Sequence, residues 1–327
     1  MDLAPPMLKR IVTVIFLLAA GAGIFIVTPL YINSYYVLIF TEILIYAIFA
    51  LSFNMLMGYT GLFSLGQSAF FGAGGYTVAL LVVRADIDNF WLCLAAALAA
   101  ATALGLVFGY LALRTTGIYF IMITLALAQM LWALVWRWRS FTGGDDGLPG
   151  IGRPDFGLPW SLGDTTNYYF FILVFFVVSV FILYRITKSP FGRTLVGIRE
   201  NEPRMQALGY NTWRYKYACF VIAAIFGGLA GALKVYQDGY ISPTYCSMLT
   251  SALVVLMALI GGTRIFAGPI LGVVVVWSIR SIVSSHTEYW TLILGVLMVV
   301  IVMFARQGIL GYISQLWREV RYGIPEG

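Results

Sequence analysis

Residues 37–57 read VLIFTEILIYAIFALSFNMLM, an apolar stretch in which Glu42 is the one charged residue. About 20 apolar residues in a helix cross the roughly 30 Å hydrocarbon core of a bilayer, where an open strand could not satisfy its backbone. Comparable blocks occupy residues 11–30, 61–83, 90–113, 117–136, 168–184, 215–235, 245–262, 265–285 and 289–305. The sequence therefore predicts an all-α integral membrane protein, a polytopic bundle of about ten transmembrane helices.

The overall composition agrees with this interpretation. Of the 327 residues, 61% are hydrophobic and 10% are charged, whereas soluble domains have about 45–50% and 25%. Cys93, Cys219 and Cys246 are too far apart in sequence for a zinc spacing or a disulfide framework, so we interpret them as packing residues. With His286 as the single histidine, neither a metal site nor a Ser-His triad is expected. The net charge of +6 lies in short loops between apolar blocks, so no nucleic-acid partner is predicted.

The basic residues predict the orientation. Ten crossings with a cytoplasmic N-terminus place fourteen Lys and Arg residues inside and four outside, which is the positive-inside distribution. Both termini are then cytoplasmic, and residues 1–327 form a single transmembrane domain with a cytoplasmic loop at about 185–214 and a loop on the outer side at about 137–167. Lys234 and Arg280, near span ends, are expected to extend their charged ends to the membrane surface.

Two features within the spans suggest a transport path. A glycine-rich segment from Gly58 to Gly75 surrounds the polar residues Ser64, Gln67 and Ser68, and such density permits either broken helices that line a path or close helix packing. Both interpretations remain open. Glu42 lies about five residues into its span, where it is an interfacial carboxylate, a pore-lining carboxylate or a proton-coupling group.

The inner loop predicts a compact surface element. Phe191, Leu195 and Ile198 follow a helical spacing after Pro190. Asn201 can then cap a second short helix, which Gly209 would end. This predicts a rigid helix at the cytoplasmic surface, either a docking surface for another protein or an ordered loop held near anionic lipid.

Several motifs carry a family resemblance. Residues 58–72 (GYTGLFSLGQSAFFG), 142–148 (TGGDDGL) and 189–193 (SPFGR), followed by IRENE at 198–202 and ALG at 207–209, resemble the permease subunits of branched-chain amino acid ABC importers. The resemblance extends from about the second span to the tail. The motif at 142–148 is similar to the LivM-type subunit rather than to its LivH-type companion.

The resemblance implies a bacterial inner-membrane permease that pairs with a LivH-type subunit, two cytoplasmic ATPases and a periplasmic substrate-binding protein. It assigns ATPase coupling to Glu200, Asn201, Glu202, Arg204, Met205 and Ala207, and the substrate path to Ser64, Gln67 and Ser68, with Glu42 as a further candidate from its position. ATP and Mg would bind to the partner subunits, because residues 261–264 (GGTR) lack the GxxxxGK[ST] order of a phosphate-binding loop. No cofactor or metal is expected in this chain.

Three alternatives to a branched-chain amino acid importer are considered. The cargo could be urea or an amide, since the binding protein largely selects it. The chain could be an ion-coupled secondary transporter of a small polar solute, with Glu42 as the group to test. An integral-membrane enzyme would need clustered catalytic groups, and none is evident.

Overall fold

A computed structural model describes residues 33–153, 163–284, 292–293, 295–296 and 308–312. The helices in these ranges are α1 Ser34–Asn54, α2 Gln67–Ala85, α3 Phe90–Ala112, α4 Ile118–Arg137, α5 Arg139–Thr142, α6 Thr165–Lys188, α7 Pro190–Glu200, α8 Glu202–Ala207, α9 Thr212–Asp238, α10 Met248–Gly261 and α11 Gly268–Ser284. A π-helical turn, Met55–Thr60, extends α1, and two-residue strands β1 (Leu148–Pro149) and β2 (Tyr240–Ile241) pair antiparallel. The predicted span at 11–30, most of that at 289–305 and both termini lie outside the described residues.

Six of these helices are long and apolar enough to cross a bilayer: α1 with its π turn, α2, α3, α4, α6 and α9. This confirms a helical, multi-pass membrane protein. The block at 245–262 appears as the shorter α10, of 14 residues, which at 1.5 Å per residue measures about 21 Å, less than a bilayer core. The block at 265–285 appears as α11, of which 17 residues lie within the described part of the chain.

The predicted span at 61–83 is wrong at its start. Gly61 has φ +74° and ends the π turn, and α2 begins only at Gln67. The residues between them, 61–66, are not helical. Because glycine enters the left-handed region without steric cost, the chain can change direction here inside an apolar block. The glycine-rich segment therefore contains a true helix break.

Farther along α2, the glycines serve helix packing. α9 packs against α1, α2 and α3. A Cβ added at Gly74 would overlap the Gly228 carbonyl oxygen of α9, and one added at Gly231 would overlap the Phe71 carbonyl oxygen of α2. The two backbones thus approach more closely than side chains would allow. Both interpretations of the glycine-rich segment hold, each for a different part of it.

Loops that the count of basic residues assigns to the same side of the membrane lie at the same end of the helix bundle. At one end of the bundle, Arg199 contacts Gly58. At the other end, Arg84 donates a hydrogen bond to the Ser140 carbonyl at 3.0 Å, and Leu148 of β1 pairs with Ile241 of β2. We call these the α7 end and the β end.

Candidate functional site

The short helices α7 and α8, which we call the coupling segment after the role that the resemblance implies, fold from local signals. Ser189 accepts a hydrogen bond from the Gly192 amide at 3.4 Å, and Pro190 occupies the first turn of α7. Asn201 caps α8 by accepting from the Arg204 amide at 2.9 Å, and Gly209 follows with φ +88°. The predicted capped helix is present, and its caps are those expected from the sequence.

Two of the following contacts attach the coupling segment to the bundle, and one holds its two helices together. Glu202 forms an ion pair with Lys216 of α9 at 2.6 Å, and Met205 packs against Gly197. The guanidinium of Arg199 donates a hydrogen bond to the Gly58 carbonyl in the π turn of α1. These contacts connect the segment to both α9 and the first described span.

The opposite surface of the segment faces outward. Glu200 has a side chain 66% exposed and pairs with Arg199 at 2.6 Å, and the hydrogen bond and charge of that guanidinium hold the pKa of the Glu200 carboxyl below its usual value. Arg204 and Ala207 are exposed, and Arg204 has no ion pair among the described residues. Leu208, just after α8, is 66% exposed. The result is a mixed charged and apolar surface at the tip of the segment.

Three further predicted residues lie at the helix break, beside a serine of α10 that was not predicted. We call Ser64, Gln67, Ser68 and Ser251, all buried, the serine cluster. The Ser68 amide donates to Ser251 Oγ at 2.9 Å, and Ser251 Oγ donates to Ser68 Oγ at 2.8 Å. Ser68 Oγ donates in turn to the Cys246 carbonyl at 3.1 Å. The first turns of α2 and α10 therefore lie side by side in the interior.

Gln67 is the unusual member of the serine cluster. Both its amide nitrogen and its amide oxygen are buried without a hydrogen-bond partner among the described residues. The side chain lies beside Gly227, in the middle of α9, where an added Cβ would be 3.5 Å from the Gln67 oxygen. A buried amide left unpaired costs free energy, so a hydrogen-bond partner for the Gln67 side chain would stabilise the protein.

Glu42 lies in a separate place. Its carboxylate pairs with Lys234 at 2.9 Å and accepts a hydrogen bond from the Trp277 indole at 2.9 Å. Lys234 also pairs with Asp238 at 2.6 Å. We call Glu42, Lys234 and Asp238 the charge cluster. It lies at the β end, and Glu42 is ten residues, or about 15 Å along the helix, from Ser52 of α1, which borders Gly227 beside Gln67.

The expected exposure of Lys234 at the membrane surface is wrong. Its side chain is 7% exposed, because two carboxylates within 3 Å hold the ammonium group inside the bundle. Sequence reasoning missed this pairing, and it also missed Ser251 and the contact of Arg199 with Gly58. Only the spacing of Lys234 and Asp238, at i and i+4 on one helix, was visible in the sequence.

A multi-span helical bundle with a buried polar helix break and a docked surface helix is the architecture of a polytopic membrane permease. Residues 35–302 match the family model described as branched-chain amino acid transport system, permease component. The chain therefore belongs to that family and is a permease subunit, not itself catalytic.

Individual relatives agree. The chain is 32% identical to the high-affinity branched-chain amino acid transport system permease protein LivM of Salmonella typhimurium, over 83% of this chain and 68% of that protein. It is 30% identical to LivM of Escherichia coli over the same shares. Identity to LivH of Salmonella typhimurium is 25%, over 81% of this chain and 91% of LivH. These matches confirm the LivM-type resemblance, and no solved structure matches the chain.

Proposed function

We propose that this chain is the LivM-type membrane subunit of an ATP-driven importer of branched-chain amino acids in a bacterial inner membrane. Its partners are a LivH-type subunit, two cytoplasmic ATPases that bind ATP and Mg, and a periplasmic substrate-binding protein. The names of the relatives and the shared family support the cargo and the multi-component system. The positive-inside count supports cytoplasmic termini and a coupling segment on the ATPase side.

The observation that carries the proposal is that one surface of the coupling segment is exposed while the opposite surface is attached to the bundle. Its outer surface presents Glu200, Arg204 and Ala207 to a partner, while its inner surface is tied to the π turn of α1 through Arg199. A π-helical turn within an α-helix is frequent at functional sites. Closure of the ATPases would therefore shift the π turn and, next in sequence, the break at residues 61–66.

The predicted coupling residues divide into two roles. Asn201 caps α8. Glu202 holds α8 to α9 through its ion pair with Lys216, and Met205 packs α8 against α7. Glu200, Arg204 and Ala207 form the surface that the ATPase contacts. Coupling requires that ATPase closure favour one arrangement of the bundle over the other, which is the condition for alternating access.

The serine cluster is the part of the substrate path that is closed in this arrangement. Ser64, Gln67 and Ser68 lie where α2 and α10 begin, and broken helices of this kind expose backbone groups to a transported solute in other carriers. Separation of α2 from α10 would break the bonds between Ser68 and Ser251 and give Gln67 access to solute or water.

The test is ATP-dependent uptake by the complete complex in liposomes. Arg204→Glu should lower transport-linked ATP hydrolysis at least about tenfold, because a charge contact with the ATPase becomes a repulsion. Glu202→Lys should lower it as well, because the ion pair with Lys216 that holds α8 to α9 becomes a repulsion. The matched control is Arg137→Glu, an exposed arginine at the β end, which should leave both activities unchanged. Subunit co-elution on gel filtration shows that the complex remains assembled.

Two results would overturn the proposal. Transport-linked ATP hydrolysis at the wild-type rate in the Arg204→Glu complex would show that α8 takes no part in coupling. Solute accumulation by the lone subunit, driven only by a proton or Na⁺ gradient, would establish the secondary transporter instead. Uptake of urea or amides in place of leucine, isoleucine and valine would correct the cargo alone.

A further inference from the structure

The aromatic side chains of Tyr110, Trp213 and Tyr217 form a cluster between α3 and α9 at the α7 end of the bundle. Trp213 and Tyr217 stack with their ring centres 5.0 Å apart, and Tyr110 meets Trp213 edge-on at 6.2 Å. The Tyr217 hydroxyl donates a hydrogen bond to the Leu106 carbonyl at 3.0 Å. Because Tyr110 and Trp213 are exposed, the cluster is fixed to two helices and open to the surroundings.

The face of α3 beside this cluster is apolar. Leu106, Val107 and Leu111 are exposed, and α3 is one of the helices long and apolar enough to cross a bilayer. An exposed apolar face on such a helix suits acyl chains. Tyr and Trp are enriched at the membrane–water interface, because their side chains are apolar at one end and polar at the other. The cluster therefore indicates the depth at which α3 meets the lipid headgroups.

Two arginines at the cluster carry a positive charge without a counter-charge. The guanidinium carbon of Arg114 lies 4.3 Å from the ring centre of Tyr110, and the guanidinium donates a hydrogen bond to the neutral Tyr110 hydroxyl. Arg214 follows Trp213 in the first turn of α9. Both arginines are exposed, and neither forms an ion pair within the part of the chain that the structure describes.

The neighbouring sequence adds no negative charge to this place. Residues 106–119 and 203–218 contain no Asp or Glu, and Glu202, just before the second range, is paired with Lys216 at 2.6 Å. A guanidinium has five N–H donors, so Arg114 can bind a further acceptor while it holds Tyr110. We call Tyr110, Arg114, Trp213 and Arg214, together with the apolar face of α3, the α3–α9 surface.

We infer that the α3–α9 surface binds an anionic phospholipid of the cytoplasmic leaflet, with its phosphate at Arg114 and Arg214 and its acyl chains along α3. Guanidinium and phosphate groups form strong, geometrically specific pairs. The count of basic residues assigns this end of the bundle to the cytoplasm, where anionic lipids give the membrane surface a negative potential. A phospholipid joins a negative headgroup to apolar chains in one molecule, which matches both parts of the surface. The inference does not depend on the transported solute.

The experiment titrates the full-length chain with phospholipid in a neutral detergent, both alone and in the complex with its co-purifying subunits. Bound lipid is counted by native mass spectrometry. The probes are phosphatidylglycerol, which is anionic, and phosphatidylcholine with the same acyl chains, which is zwitterionic. Each arginine near an anionic headgroup contributes a factor of about five in affinity, so phosphatidylglycerol should bind roughly 25-fold more tightly than phosphatidylcholine.

Substitutions separate a lipid site from the general charge of this end of the bundle. Arg114→Gln and Arg214→Gln should each weaken phosphatidylglycerol binding about fivefold and leave phosphatidylcholine binding unchanged. Arg114→Lys, which keeps the charge, should recover most of the loss. The matched control is Arg193→Gln, because Arg193 of α7 is exposed at the same end and has no cation–π contact among the described residues. An unchanged unfolding temperature shows that each variant is folded.

Four results would overturn the inference. Equal affinity for the two lipids would show that the headgroup charge is not recognised, and wild-type affinity in both glutamine variants would show that the two arginines do not hold the lipid. An equal loss in Arg193→Gln would show that only the net charge of the α7 end attracts it. Binding to the isolated chain that is absent from the complex would show that a protein partner covers the surface.

Discussion

Replacing Arg199 with methionine tests whether the coupling segment acts on the first described span through one hydrogen bond. The stem of Arg199 lies over Gly61, where an added Cβ would be 3.1 Å from its Cγ, and methionine keeps an unbranched apolar stem at this place. Methionine cannot donate to the Gly58 carbonyl, which Arg199 does. The change therefore removes this bond, together with the ion pair of Arg199 with the exposed Glu200, and preserves most of the packing.

The expected magnitude follows from the burial of this contact. Hydrogen bonds to charged groups contribute about 1.5–3 kcal/mol, and the Arg199 side chain is 24% exposed, so solvent reduces the value toward the lower limit. A loss of about 1.4 kcal/mol corresponds to a factor of about ten in an equilibrium constant. Coupling between ATPase closure and bundle rearrangement should weaken by the same factor.

The assay compares solute molecules imported per ATP hydrolysed by the complete complex in liposomes. Arg199→Met should lower this ratio roughly tenfold while ATP hydrolysis without solute persists. Arg199→Lys, which keeps a donor, should recover part of the loss. Arg185→Met is the control, because Arg185 lies in the last turn of α6 at the same end of the bundle and its guanidinium lies near the Phe181 ring. A wild-type ratio in Arg199→Met would refute the reasoning.

Three further substitutions test the packing of the bundle and the capping of α8. Gly231→Ala forces a Cβ against the Phe71 carbonyl and should cost about 1–3 kcal/mol or more, seen as a lower unfolding temperature in detergent; an unchanged temperature would contradict the close approach of α2 and α9. Lys234→Met leaves two carboxylates facing each other and should destabilise the fold by about 3–5 kcal/mol, so normal yields of folded protein would argue against the buried pair. Asn201→Ala removes the cap on the Arg204 amide and should speed hydrogen exchange in α8 about fivefold, for a cost near 1 kcal/mol, whereas Asn201→Asp should not.

The helices were predictable because their signal is length and hydrophobicity. The block at 90–113 became α3, Phe90–Ala112, since a bilayer selects for apolar length and little else. The break at 61–66 was misjudged because Leu62, Phe63 and Leu65 continue the apolar pattern, and hydropathy carries no information about φ. Only the left-handed Gly61 reveals where the helix stops.

The site was predictable where its contacts are local. Asn201 caps a helix that begins at the next residue, so residue type and spacing sufficed. Ser68 and Ser251 are 183 residues apart, and each is an unremarkable serine within an apolar block. The pairing of Glu42 with Lys234 depends in the same way on how α1 packs against α9. No single-sequence pattern encodes such contacts.

The helix break between α1 and α2 and the position of the short α10 explain how displacement of α7 could separate α2 from α10 in the interior. Arg199 holds Gly58, and a Cβ at Gly58 would overlap the Thr263 carbonyl in the turn after α10, so in the proposed mechanism displacement of α7 acts on α1 and α10 together. The other end of α10 carries Ser251, which is bonded to Ser68. Separating them breaks two neutral hydrogen bonds, each about 0.5–1.5 kcal/mol net. That sum lies within the about 1–3 kcal/mol typical of coupling between sites, so in the proposed mechanism binding of a partner would be enough to separate α2 from α10.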